Sequence, residues 1–456
     1  MPRFTKITAS VGPASESERM LRDMISAGVN MFRVNFSHDT GEAQGHKIDI
    51  IRKISREMNL PVGIMIDLQG PKHRIGNFLG EEKYPLNIGQ DFVFDSNLEP
   101  GNSNRVNLPD VDVLRSLRVG ERILLNDGKI EMCVTNVAPD SVTARVVRGT
   151  EIWSRRGFNI PDTDIDTGVL TDKDRTDLEY ALGKNPDWVA VSFVGRSEDI
   201  AMVRDFITER TDVPVKIMAK IERKSAVERI AEIASAADGI MIARGDLAVE
   251  LPFERVPAIA RNIIRECRRL NRPVVMATQM LGSMVESEFP TRAEVSDVAS
   301  AAYLGVDSTM TSEETTIGAH PLLVVETMDK ILEFSDTDAA MHPAEWAHSE
   351  KATENDWSQS VASMAHLNQA SAIIVFARES DGVTQISCRR PDTQIIAVCD
   401  SEIVANQLCL VRGVKSVYTA DLFARRDVRS IVKMFQIESG KIVIVDGDNI
   451  ELRDLD

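Results

Sequence analysis

The segment VKIMAKIERK (215–224) is an apolar β-type run that ends by placing Lys220 and Glu222 two residues apart. Residues so spaced in a strand project from the same face. An ammonium and a carboxylate aimed together from a core strand suit either a partly exposed ion pair or a site for charged chemistry. Other apolar runs end in the same way. Arg33, Asn35 and Ser37 fall in MFRVNFS, Asp67 in VGIMIDL, Arg244, Gly245 and Asp246 after GIMIA, and Thr278 at the close of PVVMAT. The set combines carboxylates for a hard cation with fixed cations for an anion. A Mg²⁺ site takes a couple of carboxylates plus water and substrate phosphate, which Glu222 and Asp246 could provide. Lys220 and Arg33 would neutralise a moving phosphoryl group, where catalysis is mostly positioning and electrostatics. Backbone N–H groups of Gly245 and Asp246, in a turn leading to a helix expected near Pro252, could hold a carboxylate or phosphate. Thr278 offers a hydroxyl where a carbanion or enolate would be protonated.

Positioning these residues at one place requires their strands to end together. Strands are expected at 6–12, 31–37, 62–68, 188–194, 215–221, 239–244, 273–278 and 306–312, with amphipathic helical patterns such as SEDIAMVRDFITER between them. That alternation points to parallel β/α architecture. Eight units is the count for a closed (β/α)₈ TIM barrel, whose active sites gather at the C-terminal ends of the strands. A doubly wound open sheet is the alternative that periodicity leaves open. About a hundred residues between Leu68 and TDKDRTDLEYAL (171–182) exceed any usual βα loop. Their alternating runs and the NDG turn (126–128) predict an inserted all-β domain. A second boundary falls in the polar stretch 335–356, after which AIIVFA, QIIAVC and KIVIVDG predict a separate α/β domain. The expected division is barrel over 1–71 and 167–336, an inserted β-barrel lid over 72–166, and a C-terminal domain over 357–456.

The 456 residues carry a net charge of −17, with 43% hydrophobic and 5% aromatic residues. Basic residues form no runs, which argues against a nucleic-acid groove, and phosphate must be bound by local amides, cations or a metal. Cys133, Cys267, Cys388, Cys399 and Cys409 are far apart and odd in number, so reduced thiols and a cytoplasmic setting are expected, with no zinc site. No apolar stretch of 18 residues occurs, so no membrane association is expected. His38 and His73 read as packing or hydrogen-bonding residues rather than general bases, and the strand methionines as core filler.

Seven motifs, TKITASVGPAS, RVNFSH, IDLQGPKHR, AKIER, IMIARGDLAVELP, PVVMATQML and PTRAEVSDVA, in this order and spacing, resemble the pyruvate kinase family from about residue 5 to 335. The resemblance implies Mg²⁺- or Mn²⁺-dependent phosphoryl transfer from phosphoenolpyruvate to ADP. In that family the inserted β-domain closes over the barrel mouth, and the assembly is typically a homotetramer. By matching motif positions, Lys220 would contact the transferred phosphoryl group, and Glu222 and Asp246 would bind the metal. Gly245, Asp246 and Thr278 would hold the substrate carboxylate, with Thr278 near the protonation step. Arg33 and Arg74 would reach the phosphates, with Asn35 and Arg156 on the nucleotide side.

The sequence also departs from the family pattern. Members requiring K⁺ hold it with residues matching Asn35, Ser37 and Asp67, and carry a glutamate where this chain has Lys72. A lysine there could supply in cis the charge the ion brings, so Lys72 is expected beside Asn35, Ser37 and Asp67 and K⁺ is not expected to be required. TSEETTIG (311–318) puts Glu313 where a glycine is common, near the last strand's end. The C-terminal domain lacks the Ser/Thr-rich turn and glycine-rich tail of members that bind sugar phosphates. Two other functions stay open from sequence: a Mg²⁺-dependent 2-oxoacid aldolase or lyase, and a non-catalytic metabolite sensor. The aldolase would need neither Lys220, Arg74 nor an inserted lid. An intact set of Lys220, Glu222, Asp246 and Thr278 argues against the sensor, while TSEETTIG and the altered tail keep it open.

Overall fold

The computed structural model describes residues 3–80, 83–163, 168–341 and 356–455. Eight parallel strands close into a barrel: β1 (Lys6–Ser10), β2 (Met31–Asn35), β3 (Gly63–Asp67), β4 (Trp188–Val191), β5 (Lys216–Ile221), β6 (Gly239–Ala243), β7 (Val274–Ala277) and β8 (Ser308–Thr311). Closure of β8 on β1 excludes the open doubly wound sheet for this part of the chain. Most strands are shorter than their apolar runs because residues at the ends leave the ladder. Phe193 and Thr278 adopt φ of 58° and 71°, left-handed values that end sheet pairing.

Alternation along each strand separates two cores. Ile217, Ala219 and Ile221 of β5 pack in the layer between the sheet and the surrounding helices. Met218, one residue out of phase, joins Met31, Met65, Trp188, Met241, Val275 and Met310 inside the barrel. Flexible thioethers fill this irregular interior, as the sequence suggested. Lys220 follows Met218 on the inner face, as Arg33 and Asn35 follow Met31, and Asp67 follows Met65. The polar residues therefore stand on top of a methionine-filled plug.

The opposite end of the barrel has a fourfold pattern. The residue just before each even strand accepts from an N–H at the start of the odd strand before it. Asn30 Oδ1 accepts from Ile7 N at 3.1 Å, Asp187 from Ile64 N at 2.7 Å, Asp238 from Ile217 N at 2.8 Å and Asp307 from Val274 N at 2.9 Å. Each acceptor also takes a guanidinium N–H, from Arg3, Arg52, Arg204 and Arg390 respectively, every one at 2.9 Å. Four side chains thus satisfy buried backbone donors at the barrel floor and fix where the strands begin. Three of the arginines come from the barrel part of the chain. Arg390 comes from the C-terminal domain, which also inserts Leu410 into the inner core.

The inserted segment forms a six-stranded sheet in the order Phe158–Asn159, Arg122–Leu125, Ile130–Ala138, Ser141–Arg148, Asp91–Asp95, Arg105–Asn107, with a separate two-stranded piece. The NDG turn lies where expected, with Asn126, Asp127 and Gly128 all at positive φ between the second and third of these strands. The segment also carries a short helix, Val111–Ser116, capped by Asp110. Six residues are too few to show a helical period, so this helix was not expected. Residues 164–167, at the expected end of the insertion, lie outside the described residues. The C-terminal domain is a five-stranded sheet, four strands parallel, with its last strand Asn449–Leu455 returning antiparallel through Gly447. The acidic ending of the chain is thus a sheet-edge strand. The boundary expected at 335–356 begins inside the helix Pro321–Met341, and 342–355 lies outside the described residues. Among the described residues no helix is long and apolar enough to cross a membrane.

Candidate active site

The C-terminal ends of β2, β3 and β5 bring Arg33, Asp67, Lys220 and Glu222 into one buried charged chain. Arg33 Nε donates to Asp67 Oδ2 at 2.6 Å, and its Nη1 donates to Ser10 Oγ at 3.0 Å. Lys220 Nζ lies 3.1 Å from Asp67 Oδ1, 3.0 Å from Glu222 Oε1 and 2.6 Å from Ser192 Oγ. An ammonium has three protons, so all three are engaged. A phosphoryl oxygen reaching Lys220 would replace one of these acceptors. Glu222 Oε2 accepts from Phe193 N at 2.6 Å, which uses the left-handed turn after β4 to hold the carboxylate.

Burial alone would push the Lys220 ammonium down, but Asp67 and Glu222 outweigh it and hold the group above the ordinary lysine range. Burial likewise works to raise Asp67, and Lys220 with Arg33 overcomes it, leaving this carboxyl low. Glu222 goes the other way: burial raises it, Lys220 opposes, and Asp246 adds to the rise. Two carboxylates within each other's field, one of them buried and pushed up, have the chemistry of a site for a hard cation. Among the described residues no group of three or more His, Cys, Asp or Glu side chains could hold a metal. Glu222 and Asp246 alone still fit Mg²⁺, which binds through one or two carboxylates and keeps waters or phosphate for its other positions.

Asp246, Gly245 and Thr278 form the neighbouring part of the mouth. The helix expected near Pro252 begins earlier, at Arg244–Glu250, directly from β6. Gly245 N and Asp246 N therefore belong to its first turn, and Gly245 N donates to Thr278 Oγ1 at 2.8 Å. Leu251 and Pro252 interrupt the helix before Val256–Arg269 resumes it.

Lys72, expected beside Asn35, Ser37 and Asp67, instead sets its Nζ 3.4 Å from Asp246 Oδ1. The physical reason is that Asp67 is already compensated by Arg33 and Lys220, whereas Asp246 has a carboxylate oxygen facing the lysine. Asn35 stands opposite Asp67 in register and accepts from Ser37 N at 3.1 Å. Arg74 and Arg156 lie in two paired segments that carry the chain into and out of the inserted domain. Arg74 pairs with Gly157, Ile75 N donates to Arg156 O, and Arg74 Nη1 donates to Arg155 O at 3.1 Å. Arg156 stacks its guanidinium 4.9 Å from the Trp153 ring centroid. Neither arginine is joined to the Lys220 group by a described contact. Glu313 is exposed, while its neighbour Glu314 is buried and accepts from Ser312 N at 2.6 Å. His73 makes an ion-pair contact of 2.8 Å with Asp110, in keeping with a hydrogen-bonding role.

Sequence reasoning did not find Ser192, Phe193 or Asp297. Ser192 and Phe193 were absorbed into an apolar strand, and their role appears only because the strand ends at Val191. Asp297 sits in a helix and pairs with Arg244 at 2.7 Å, a contact between segments 53 residues apart. The motif PTRAEVSDVA contains it, but that stretch by itself gives the aspartate no role.

Two family models match the chain: the pyruvate kinase barrel domain over residues 2–325 and the pyruvate kinase alpha/beta domain over residues 355–452. The chain is 41% identical over 423 residues to a pyruvate kinase of Methylorubrum extorquens, covering 92% of this chain and 87% of that protein. It is 39% identical over 427 residues to pyruvate kinase 2 of Synechocystis, covering 92% and 72%. A crystal structure of a pyruvate kinase from Cryptosporidium parvum matches with a TM-score of 0.92 at 30% identity, covering 99% of this chain and 96% of that one.

Proposed function

The chain belongs to the pyruvate kinase family, and we propose how its barrel mouth carries that activity. As an enzyme of this family it transfers the phosphoryl group of phosphoenolpyruvate to ADP, giving pyruvate and ATP. The observation that carries the reading is Lys220, held charged on the inner face of β5 between two carboxylates and a hydroxyl. Lys220 and Arg33 offset charge on the phosphoryl group as its bond to the enolpyruvate oxygen breaks and its bond to an ADP oxygen forms. Gly245, Asp246 and Thr278 border the enolpyruvate, with the Thr278 hydroxyl on the side where C3 takes up its proton. Glu222 and Asp246 would hold the divalent cation, Mg²⁺ or Mn²⁺, which would supply positive charge at the phosphoryl group. Arg74, Arg156 and Asn35 serve the nucleotide. Movement of the inserted domain over the mouth would exclude water, so that ADP rather than water accepts the phosphoryl group.

Lys72 takes the place of a monovalent cation. The support is its ammonium beside Asp246, which gives the mouth a built-in positive charge although not in the position first expected. A homo-oligomer, with a tetramer as the assembly proposed and the cytoplasm as its location, rests on membership of the family alone. The test is pyruvate release from phosphoenolpyruvate and ADP with Mg²⁺, in K⁺-free buffer and then with K⁺. Full activity without K⁺ supports the assignment and Lys72. Activity with K⁺ alone keeps the enzyme and removes Lys72 from this role. No activity in either buffer, from folded protein that binds Mg²⁺, overturns the reading.

A further inference from the structure

Thr278 and Gln279 adopt φ of 71° and 55° in succession. Left-handed backbone is unfavourable for a β-branched residue, so the surroundings must hold it there. Arg244 does so. Its Nη2 donates to Thr278 O at 2.8 Å and its Nε to Ala277 O at 3.4 Å, gripping the carbonyls on either side of the strained residue's own N–H. The guanidinium is gripped in turn by Asp297, whose two oxygens each accept at 2.7 Å. This is the two-pronged geometry that fixes an arginine in orientation as well as position. Asp297 belongs to the helix Arg292–Tyr303, and Arg244 opens the helix that follows β6. A line of contacts therefore runs from an outer helix, through Arg244, to the turn that sets the Thr278 hydroxyl against Gly245 N at 2.8 Å. Arg244 Nη2 also donates to Met280 Sδ at 3.0 Å, a further protein contact that holds the guanidinium in place.

We propose that Asp297 is a positioning residue for protonation of the enolpyruvate, acting through Arg244 on the backbone conformation of Thr278. The inference rests on the reading that Thr278 borders the protonation step. In that step C3 of the enolate gains a proton from the solvent side, its C–C double bond becomes single, and the C2 oxygen becomes a ketone. The reverse step removes a methyl proton from pyruvate and needs no phosphoryl transfer, so it isolates the part of the reaction that Thr278 would serve.

The test compares Asp297→Asn, Asp297→Glu and Thr278→Ala with the parent in two assays. One is steady-state pyruvate release, giving kcat and both KM values. The other is exchange of pyruvate methyl protons in D₂O with Mg²⁺ and inorganic phosphate, followed by NMR. Asp297→Asn should lower kcat and the exchange rate together, by about tenfold or more. KM for ADP should stay within about twofold, and Asp297→Glu should recover part of the loss. Where Asp297→Asn fails to fold, Arg244→Lys supplies the same comparison, because it keeps a charge for Asp297 but loses the paired carbonyl contacts. Exchange slowed by Thr278→Ala but unchanged by Asp297→Asn overturns this inference and leaves the role of Thr278 standing. Exchange unchanged by Thr278→Ala overturns that role itself. A loss confined to ADP affinity, with exchange intact, also overturns the inference.

Discussion

Arg390→Met should destabilise the barrel although the residue lies in another domain and far from the mouth in sequence. Arg390 donates to Asp307 at 2.9 and 3.2 Å, to Gly305 O at 2.7 and 3.0 Å, and to Ser387 O at 2.9 Å. Asp307 is fully buried, so methionine would leave its carboxylate with the N–H groups of Val274 and Arg412 and no guanidinium. Removing one partner of a buried ion pair costs about 3–5 kcal/mol. For a unit of barrel size each kcal/mol moves the midpoint by roughly 2–4 °C, so Tm should fall by about 6–20 °C. The assay is thermal unfolding by circular dichroism at fixed protein concentration. The double variant Asp307→Asn with Arg390→Met separates charge from packing, since the amide oxygen can still accept from Val274 N without needing a cation. It should recover at least about 2 kcal/mol relative to Arg390→Met alone. An unchanged Tm for Arg390→Met, or a double variant whose loss is the sum of the two singles, would refute the argument that the C-terminal domain completes the barrel floor.

Lys220→Met should lower pyruvate release by about 10²–10³-fold or more, as expected for loss of a preorganised charge, while Mg²⁺ binding persists. Retained turnover would remove Lys220 from the chemistry. Lys72→Glu should make activity depend on added K⁺; activity that is equal with and without the ion would count against Lys72 as its replacement. Two buried groups at the barrel floor should tilt stability in opposite directions with pH. Burial, aided by Arg3, pushes the Lys6 ammonium down to about 8, so the unfolded chain holds a proton that the folded one releases between about pH 8 and 10.5. Its contribution to stability therefore rises with pH across that window, and Lys6→Met should remove the rise. Burial pushes the Asp187 carboxyl up to about 6 against the opposing Arg52, so the folded chain holds the extra proton between about pH 4 and 6. Its contribution falls as pH rises through that window, and Asp187→Asn should flatten the fall. Denaturation midpoints measured across pH 4–10 check both signs.

The inner face of the barrel was legible because a strand's two-residue period carries directly into space. Met218, Lys220 and Glu222 share one face whatever the rest of the chain does. The positions of Arg33, Asp67 and Lys220 as neighbours followed from closure, since polar ends of parallel strands meet at one mouth. What failed were placements that depend on competition between partners. Lys72 could have met Asp67 or Asp246, and the choice went to the carboxylate not already held by two cations. The early helix start at Arg244 was hidden because RGD reads as a turn, and the role of Asp297, though it lies in the motif PTRAEVSDVA, because its partner is 53 residues away. The floor pattern was missed for a different reason. Asn30, Asp187, Asp238 and Asp307 each precede a strand, but their common role appears only when neighbouring odd strands expose an N–H to them.

The two ends of the barrel differ in how their charges are met, and the difference explains why one can be a site. At the floor each acceptor has its own guanidinium at the same distance and an N–H to hold it in place, so the acceptors there are met one to one within the fold. At the mouth three cations, Arg33, Lys220 and Lys72, face three carboxylates, Asp67, Glu222 and Asp246, in an unequal distribution. Asp67 has two close cations, whereas Asp246 has one partly exposed lysine at 3.4 Å and Glu222 shares the cation of Asp67. A glutamate in place of Lys72 would leave two cations against four carboxylates, an excess of negative charge that an added monovalent ion could offset. With lysine the group is balanced before any ion arrives. Phosphoenolpyruvate, about a trianion at neutral pH, arriving with a divalent cation then adds about one net negative charge to a balanced group, whereas with glutamate at position 72 the same arrival would leave about three. The same count that supports K⁺ independence therefore predicts that Lys72→Glu should bind Mg²⁺ more tightly in the absence of substrate, even as its turnover comes to require K⁺.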